Sequence, residues 1–385
     1  MNPISIGLRA ALSAALVVSS TKTPGDPLAW AFRFASAIVS DPKDMGKAQE
    51  AVVWDYTSSQ RWEEAEAAAA QVEGWRRGTA YADLATALAK AGKKDQARAM
   101  IAKAEAHRAT VEGWQNPRIA AHVANAYAAL GDVEKANTLA RAVAIEDAQQ
   151  YAGRAAATKA SGLAAQGNAE AAEAELAQFK GTSDIEDLWW RMVGYVEIAR
   201  QTTLPKEKRL EALGDARKAA ASIPGWKRAE ALESIAEAYD ALGAKAEAKS
   251  AVAEAESIVT PLPDTMPIKA ALLSNCARTY GKVGDKESAR RLLGLAETCA
   301  ASAQPIDRPT VYANTAASFA SVGEKERAKQ LFGKALDEAT GLVNARPRAL
   351  AVVEICRSMS KASMPLDPAT RQRLESLYAG LKDPW

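Results

Sequence analysis

The residue types that most often do chemistry are scarce in this 385-residue chain. It has two histidines, His107 and His122, and neither has a Cys, Asp or Glu partner at ligand spacing, so both are expected to be solvated. The motifs GxGxxG, GxxxxGK(S/T), GxSxG and HExxH do not occur. The sequence therefore gives no sign of a dinucleotide-binding protein, a P-loop NTPase, a serine hydrolase or a zinc protease of the HExxH type. The sequence therefore predicts a protein that is not an enzyme and that uses no cofactor or metal.

The cysteines give no sign of a disulfide framework or a zinc site. Cys276, Cys299 and Cys356 are an odd number, and no pair has CxxC spacing. The simplest prediction is three buried free thiols.

One charge pattern could bind a partner. Glu230, Glu233, Glu237 and Asp240 are spaced by three, four and three residues, which places four carboxylates on one face of a helix. Two interpretations remain open: an ordinary solvated face, or an acidic strip for a basic segment of another protein.

The elements that would position these residues form a repeat. A small residue, a turn glycine seven positions later and an alanine five positions after that recur along the chain, with Val53, Gln60 and Ala65 as a weaker copy. The period is roughly 36 to 41 residues, in the range of helical solenoids, with one degenerate unit between Gly167 and Gly243. The clear copies are Ala85/Gly92/Ala97, Ala124/Gly131/Ala136, Ala160/Gly167/Ala172, Ala236/Gly243/Ala248, Ala277/Gly284/Ala289 and Ala316/Gly323/Ala328.

Over roughly residues 47 to 362 this pattern resembles the tetratricopeptide repeat family, although the units exceed that family's ~34 residues. The resemblance implies an all-α, right-handed solenoid of about eight to nine antiparallel helix pairs, whose first helices line a concave groove that captures peptides or protein segments. The best matches to the family pattern are Leu232, Ile235, Ala236, Tyr239, Ala248, Val252 and Ala255, then Cys276, Ala277, Tyr280, Ala289, Leu293 and Ala296, and then Thr315, Ala316, Phe319, Ala328, Phe332 and Ala335.

The groove positions that follow from the resemblance are mostly polar. Arg118 and Arg154 have equal phase in neighbouring units, so the two could hold a carboxylate together. The lysine and asparagine of chaperone-tail clamps are absent. The full set of candidates for partner binding is Arg118, His122, Asn125, Arg154, Glu230, Glu233, Glu237, Asp240, Asn275, Arg278 and Asn314.

A Gly-Trp dipeptide precedes three of the units. Gly74-Trp75, Gly113-Trp114 and Gly225-Trp226 all lie at the same distance before their turn glycine, so the tryptophans belong to the repeat. Each indole either seals the joint between two units or stacks on a ligand.

The first 20 residues allow two interpretations. Arg9 followed by the apolar run 10–18 is typical of a short secretory signal, which would make the protein exported or periplasmic. Alternatively, residues 1–20 form the first helix of the solenoid and the protein is cytoplasmic. That helix would have an apolar face made of Ile4, Leu8, Leu12, Ala15 and Leu16. We divide the chain into an N-terminal cap (1–46), a solenoid (47–362) and a C-terminal capping helix (363–385).

Composition narrows the classes of partner. Lys and Arg number 49 against 47 Asp and Glu, and a net charge of +2 gives no long-range field for nucleic acid. No stretch approaches the ~20 apolar residues that span a bilayer. The predicted function is a non-enzymatic scaffold or adaptor that binds a partner protein segment, with an exported envelope spacer or assembly factor as the alternative. The oligomeric state stays open.

Overall fold

A computed structural model of the protein describes residues 25–147, 152–178 and 183–382. Within these ranges the chain forms nineteen α-helices and no β-strand, which confirms the predicted all-α solenoid. Residues 1–20, for which a signal peptide and a helix were both open, lie outside the described residues. None of the helices in the described part has the length and hydropathy of a membrane span.

The helices, numbered here in chain order, belong alternately to two rows. Each helix of one row contacts the next helix of the same row. Each helix of the other row contacts mainly helices of the first row. The first row therefore lies at the smaller radius of the curved stack, and we call its members the inner helices. They are α2 (Pro42–Ser58), α4 (Arg76–Lys90), α6 (Gln115–Leu130), α8 (Ala152–Ala165), α10 (Ile185–Arg200), α12 (Gly225–Ala241), α14 (Pro267–Val283), α16 (Arg308–Ser321) and α18 (Ala345–Lys361). The outer helices are α3 (Trp62–Ala69), α5 (Lys94–Arg108), α7 (Val133–Asp147), α9 (Ala169–Ala177), α11 (Lys206–Ala220), α13 (Lys245–Val259), α15 (Lys286–Ser302) and α17 (Lys325–Thr340).

The predicted turn residues join each inner helix to the outer helix that follows. The six predicted turn glycines have φ between 73° and 94°, a left-handed conformation that side chains disfavour. Gln60 takes the same conformation at φ 57°, which confirms it as the stand-in for glycine in the first pair. The small residues beside these turns, such as Ala85 and Ala248, are completely buried where paired helices cross.

The degenerate unit is present as predicted. It is the pair α10 and α11, and its turn ends at Pro205, which caps α11 without a glycine. Gln201 ends α10 in an extended conformation, so this turn leaves the helix differently from the glycine turns.

The first and last helices of the described solenoid meet and close it into a ring. Helix α1 (Pro27–Ser36) packs along α18 as each outer helix packs along its own inner partner, and it also contacts α2. Because α18 itself contacts α2, the nine inner helices form a closed cycle. The ninth pair thus consists of α1, the first described helix, and α18, which lies more than 300 residues later.

The last helix, α19 (Pro368–Ala379), lies against the outside of this closure. The rings of Phe34 in α1 and Tyr378 in α19 meet edge to face, with centroids 5.4 Å apart. Arg373 in α19 donates to Asp337 in α17 at 2.6 Å. Terminal helices were expected to cover the exposed faces of a solenoid, and here they cover each other. The domain boundaries at residues 46 and 362 stay predictions.

The three cysteines are buried free thiols, as predicted.

Candidate functional site

The inner helices enclose a cleft of about 420 Å³ that crosses the ring. One wall comes from α2, α4 and α6, and the other comes from α10, which packs against α8 and α12 instead. We call this space the cross-ring cleft. Its lining includes the predicted residues Arg118 and His122; the full set is Glu50, Trp75, Arg76, Thr79, Asp83, Arg118, Ala121, His122, Glu186 and Trp190.

A salt bridge ties the two walls together. Lys90 at the end of α4 reaches Glu197 in α10, with Nζ and Oε2 3.2 Å apart, although the residues lie three helix pairs apart along the solenoid. Burial opposes ionisation of Glu197, but Lys90 and Arg200 outweigh it and lower its pKa. Both residues lie near the C-terminal ends of their helices, beyond the lining residues of the cleft.

Close packing of α4 on α6 sets the geometry of the first wall. Gly78 in α4 makes this approach possible, because a Cβ there would lie 2.9 Å from the side chain of Ile119 in α6. The approach brings Trp75 and Trp114 into edge contact, with ring centroids 5.7 Å apart. The guanidinium of Arg118 lies over Trp114 at 4.8 Å from the ring centroid.

The Gly-Trp dipeptides therefore have a structural basis. Gly74, Gly113 and Gly225 have φ of 65°, 66° and 59°, which turns the chain into the next inner helix. The indoles of Trp75 and Trp226 pack against the core, as the sealing interpretation predicted, whereas Trp114 is 57% exposed. Trp75 also lines the cross-ring cleft.

Charged groups of the cleft are held by neighbouring helices. Glu50 in α2 accepts hydrogen bonds from Arg76 and Thr79 in α4. His122 Nδ1 in α6 lies 2.6 Å from an oxygen of Asp83 in α4. His122 is therefore half-buried and partnered, which corrects the expectation of a solvated histidine; the sequence hid the partner because it lies one unit away.

His107 also differs from expectation, because its Nε2 lies 3.0 Å from the carbonyl oxygen of Gly74. Burial lowers the pKa of His107. No cluster of three or more His, Cys, Asp or Glu that could hold a metal ion occurs in the described ranges.

The second predicted cation, Arg154, lies in α8, but its side chain is outside the described part of the structure. A shared carboxylate site for Arg118 and Arg154 thus stays a prediction. Arg118 has no carboxylate partner among the described residues; its contacts are with the indoles of Trp75 and Trp114.

The four carboxylates of the predicted acidic strip on α12 differ in how far they are buried. Glu230 is exposed and Asp240 is half-buried, and neither has a cation partner in the described ranges. Glu237 pairs with Lys282 in α14, with 3.3 Å between Nζ and Oε1. Glu233 is only 5% exposed, so it cannot belong to a solvated strip and the four carboxylates are not equivalent.

Glu233 is instead the centre of a buried polar junction between α12 and α14. It accepts hydrogen bonds from Asn275 Nδ2 at 2.9 Å and from the Cys276 thiol at 3.3 Å. Burial raises the pKa of Glu233 to about 8, against smaller opposing effects of these donors and of Arg278. Asn275 in turn accepts from Arg278 at 2.8 Å. Three predicted partner-binding residues are therefore partly occupied with one another.

The two remaining candidates also connect neighbouring inner helices. Asn125 in α6 accepts from Thr158 in α8 at 2.7 Å, and Asn314 in α16 accepts from Ser358 in α18 at 3.0 Å. Most of the polar side chains predicted to line the groove therefore form hydrogen bonds with a neighbouring inner helix. Sequence reasoning missed these bonds because each joins residues one repeat apart, and only a comparison of equivalent positions in successive units would suggest them.

The chain matches no protein-family model and no curated protein sequence. Among solved structures it is similar to a chain described as a circular tandem repeat protein with novel repeat topology and enhanced subunit contact surfaces. That chain is 14% identical, and the match covers 96% of this protein and 95% of the other, with a TM-score of 0.19. A TM-score this low adds nothing to the fold established by the helix contacts.

Proposed function

We propose that this protein is a non-enzymatic scaffold of the tetratricopeptide repeat type, and that it holds a basic, extended segment of a partner protein on the inner face of α12. The observation that carries the proposal is the pair of carboxylates, Glu230 and Asp240, for which the described part of the chain supplies no counter-ion. Several other charged groups on the inner helices are paired with a neighbouring helix, among them Glu50, Asp83 and Glu237.

The spacing of these carboxylates indicates the form of the ligand. Ten residues of helix place them about 15 Å apart along the axis. An extended peptide covers that distance in about four or five residues, so the segment should carry two cations at roughly that separation. The residues between the cations would lie along Glu237, which is already neutralised by Lys282.

The test is selection of binding peptides from a random peptide library displayed on phage, with the full-length protein as bait. The proposal predicts enrichment of peptides with two Lys or Arg residues about four or five positions apart. Their affinity should fall at least about tenfold for the double variant Glu230→Lys/Asp240→Lys, because two attractions become repulsions.

The matched control is Glu247→Lys/Glu287→Lys, which makes the same change of net charge at exposed positions of the outer helices α13 and α15. It should leave peptide affinity unchanged. Failure to enrich basic peptides, or equal binding to the double variant and the wild type, would show that α12 is not the binding face.

A further inference from the structure

The cross-ring cleft has the volume of a small-molecule site and is open to solvent on one side. Its volume of about 420 Å³ falls within the range of ligand pockets, ~300–1,000 Å³. Two separate arcs of the ring wall it, and the bridge between Lys90 and Glu197 holds those arcs together beyond the lining residues. The proposed partner segment lies elsewhere, on α12, so the cleft is not used by that function.

The charges of the described residues that line the cleft nearly cancel. These residues comprise three carboxylates, two guanidinium groups and the imidazole of His122, so their sum is −1 with a neutral ring and 0 with a protonated one. An anionic ligand would meet the three carboxylates, and a cationic ligand would meet Arg76 and Arg118. A charged ligand would therefore lose its hydration without a matching counter-charge. The balance favours a neutral ligand.

The hydrogen-bonding groups of the cleft require a polar ligand. An apolar molecule would cover these groups without replacing their bonds to water, which costs free energy. Each carboxylate is already oriented by an internal donor: Glu50 by Arg76 and Thr79, and Glu186 by the indole N–H of Trp190 at 2.7 Å. Since a carboxylate has about four acceptor sites, each of these can still accept from a ligand.

Arg118 supplies the complementary donors. Its guanidinium is placed by Trp75 and Trp114 and has no carboxylate partner among the described residues, so its N–H groups can donate to ligand oxygens. The cleft thus presents fixed acceptors and fixed donors side by side. A molecule that carries many hydroxyl groups, each both donor and acceptor, matches that arrangement.

Two indoles complete the chemistry. Trp75 lines the first wall and Trp190 lines the wall formed by α10. Indoles give large, rigid, flat apolar surfaces with a polar edge, so they suit a ring-shaped ligand that has one apolar face and a polar rim. We propose that the cross-ring cleft binds a neutral oligosaccharide, with the carboxylates and Arg118 on its hydroxyl groups and the indoles on its C–H faces.

The test is isothermal titration of the full-length protein with trisaccharides that differ in charge. The probes are the neutral sugars cellotriose, maltotriose and tri-N-acetylchitotriose, the anionic trigalacturonate and the cationic chitosan trimer. At least one neutral sugar should bind with a Kd below about 1 mM, and both charged sugars should bind at least about tenfold more weakly.

Variants then locate the site. Trp190→Ala should weaken binding of the preferred sugar at least about tenfold, and Arg118→Ala should weaken it by a similar factor. Trp54→Ala is the matched control, because Trp54 is 55% exposed on α2 and does not line the cleft. Should Trp190→Ala fail to fold, Trp190→Phe and Arg118→Ala still test the assignment, since Arg118 is only half-buried.

The proposal is overturned if no neutral sugar binds with a Kd below about 1 mM. Tighter binding of a charged sugar, or undiminished binding to the Arg118→Ala and Trp190 variants, would also overturn it. The double variant Glu230→Lys/Asp240→Lys should bind the sugar like the wild type, so the outcome here is independent of the peptide selection.

Discussion

Two junctions between inner helices each bury a carboxylic acid, and they treat it in opposite ways. Asp55 in α2 and Glu233 in α12 are both 5% exposed. Asp55 contacts the guanidinium of Arg357 in α18, and the ammonium of Lys361 lies 3.6 Å away. Glu233 meets the amide of Asn275 and the thiol of Cys276, which are both neutral.

The difference follows from what each junction joins. The α12–α14 junction lies within the regular solenoid, where short connections already place neighbours together, so a neutral polar contact is sufficient. The junction between α2 and α18 joins residues 302 positions apart in the chain. Burying either charge without its partner is costly. Asp55 and Arg357 would therefore favour this closure over arrangements in which the two residues do not meet.

The largest expected effect comes from Arg357→Ala at the closure. The substitution leaves Asp55 buried without its nearest cation, which we expect to cost about 3–5 kcal/mol in the free energy of unfolding. Urea unfolding followed by circular dichroism measures the loss. Hydrogen exchange should show it first in α1 and α18, because these helices close the ring.

The control for that variant is Arg327→Ala, which removes an arginine whose pair with Glu297 lies on the outer helices and is 44% exposed. It should change the unfolding free energy by less than about 1 kcal/mol. Equal effects of the two variants, or uniform exchange throughout the ring, would show that the closure pair has no special role.

The repeat explains why so much of the fold could be predicted. Turn positions repeat six times with the same spacing, so even Gln60 could be identified as a substitute for glycine. Closure of the ring could not be predicted in the same way. It depends on the small rotation between successive pairs, which accumulates over nine pairs, and on contacts such as Phe34 with Tyr378 that no local pattern contains.

The candidate sites were predicted less well, and for a related reason. Helical phase places Glu230, Glu233, Glu237 and Asp240 on one side of α12, but phase alone does not say how closely the next inner helix approaches. The approach of α14 buries Glu233 and leaves Glu230 exposed. The wall formed by α10 could not be anticipated either, because it reaches the cleft across the ring.

The second prediction concerns the α12–α14 junction, where the free energy of unfolding should depend on pH through Glu233. The pKa of Glu233 is raised to about 8 in the folded protein, above the ordinary value of 4.5. The unfolded chain therefore loses this proton at lower pH than the folded protein, and stability should fall as pH rises from about 4.5 to about 8. The slope is at most about 1.4 kcal/mol per pH unit.

Replacement of the acid by its neutral isostere should remove this dependence. Glu233→Gln keeps an acceptor for Asn275 and Cys276, and we expect it to stabilise the protein by up to about 3 kcal/mol at pH 7. Urea unfolding between pH 5 and 8 provides the measurement. Glu230→Gln, at an exposed position of the same helix, is the control and should keep the wild-type slope. A Glu233→Gln variant with the wild-type slope would mean that Glu233 is ionised in the folded protein at neutral pH.

The smallest effect is expected at the rim of the closure, where Arg346 in α18 lies 2.7 Å from Asp41 and 3.7 Å from Asp44. Arg346 is 44% exposed, so solvent and salt screen this contact far more than the pair of Asp55 with Arg357. Arg346→Ala should therefore leave urea unfolding unchanged at physiological salt and lower stability detectably only at low ionic strength. A loss comparable to that of Arg357→Ala, and insensitive to salt, would mean that exposed charges hold the ring closed as much as the buried pair does.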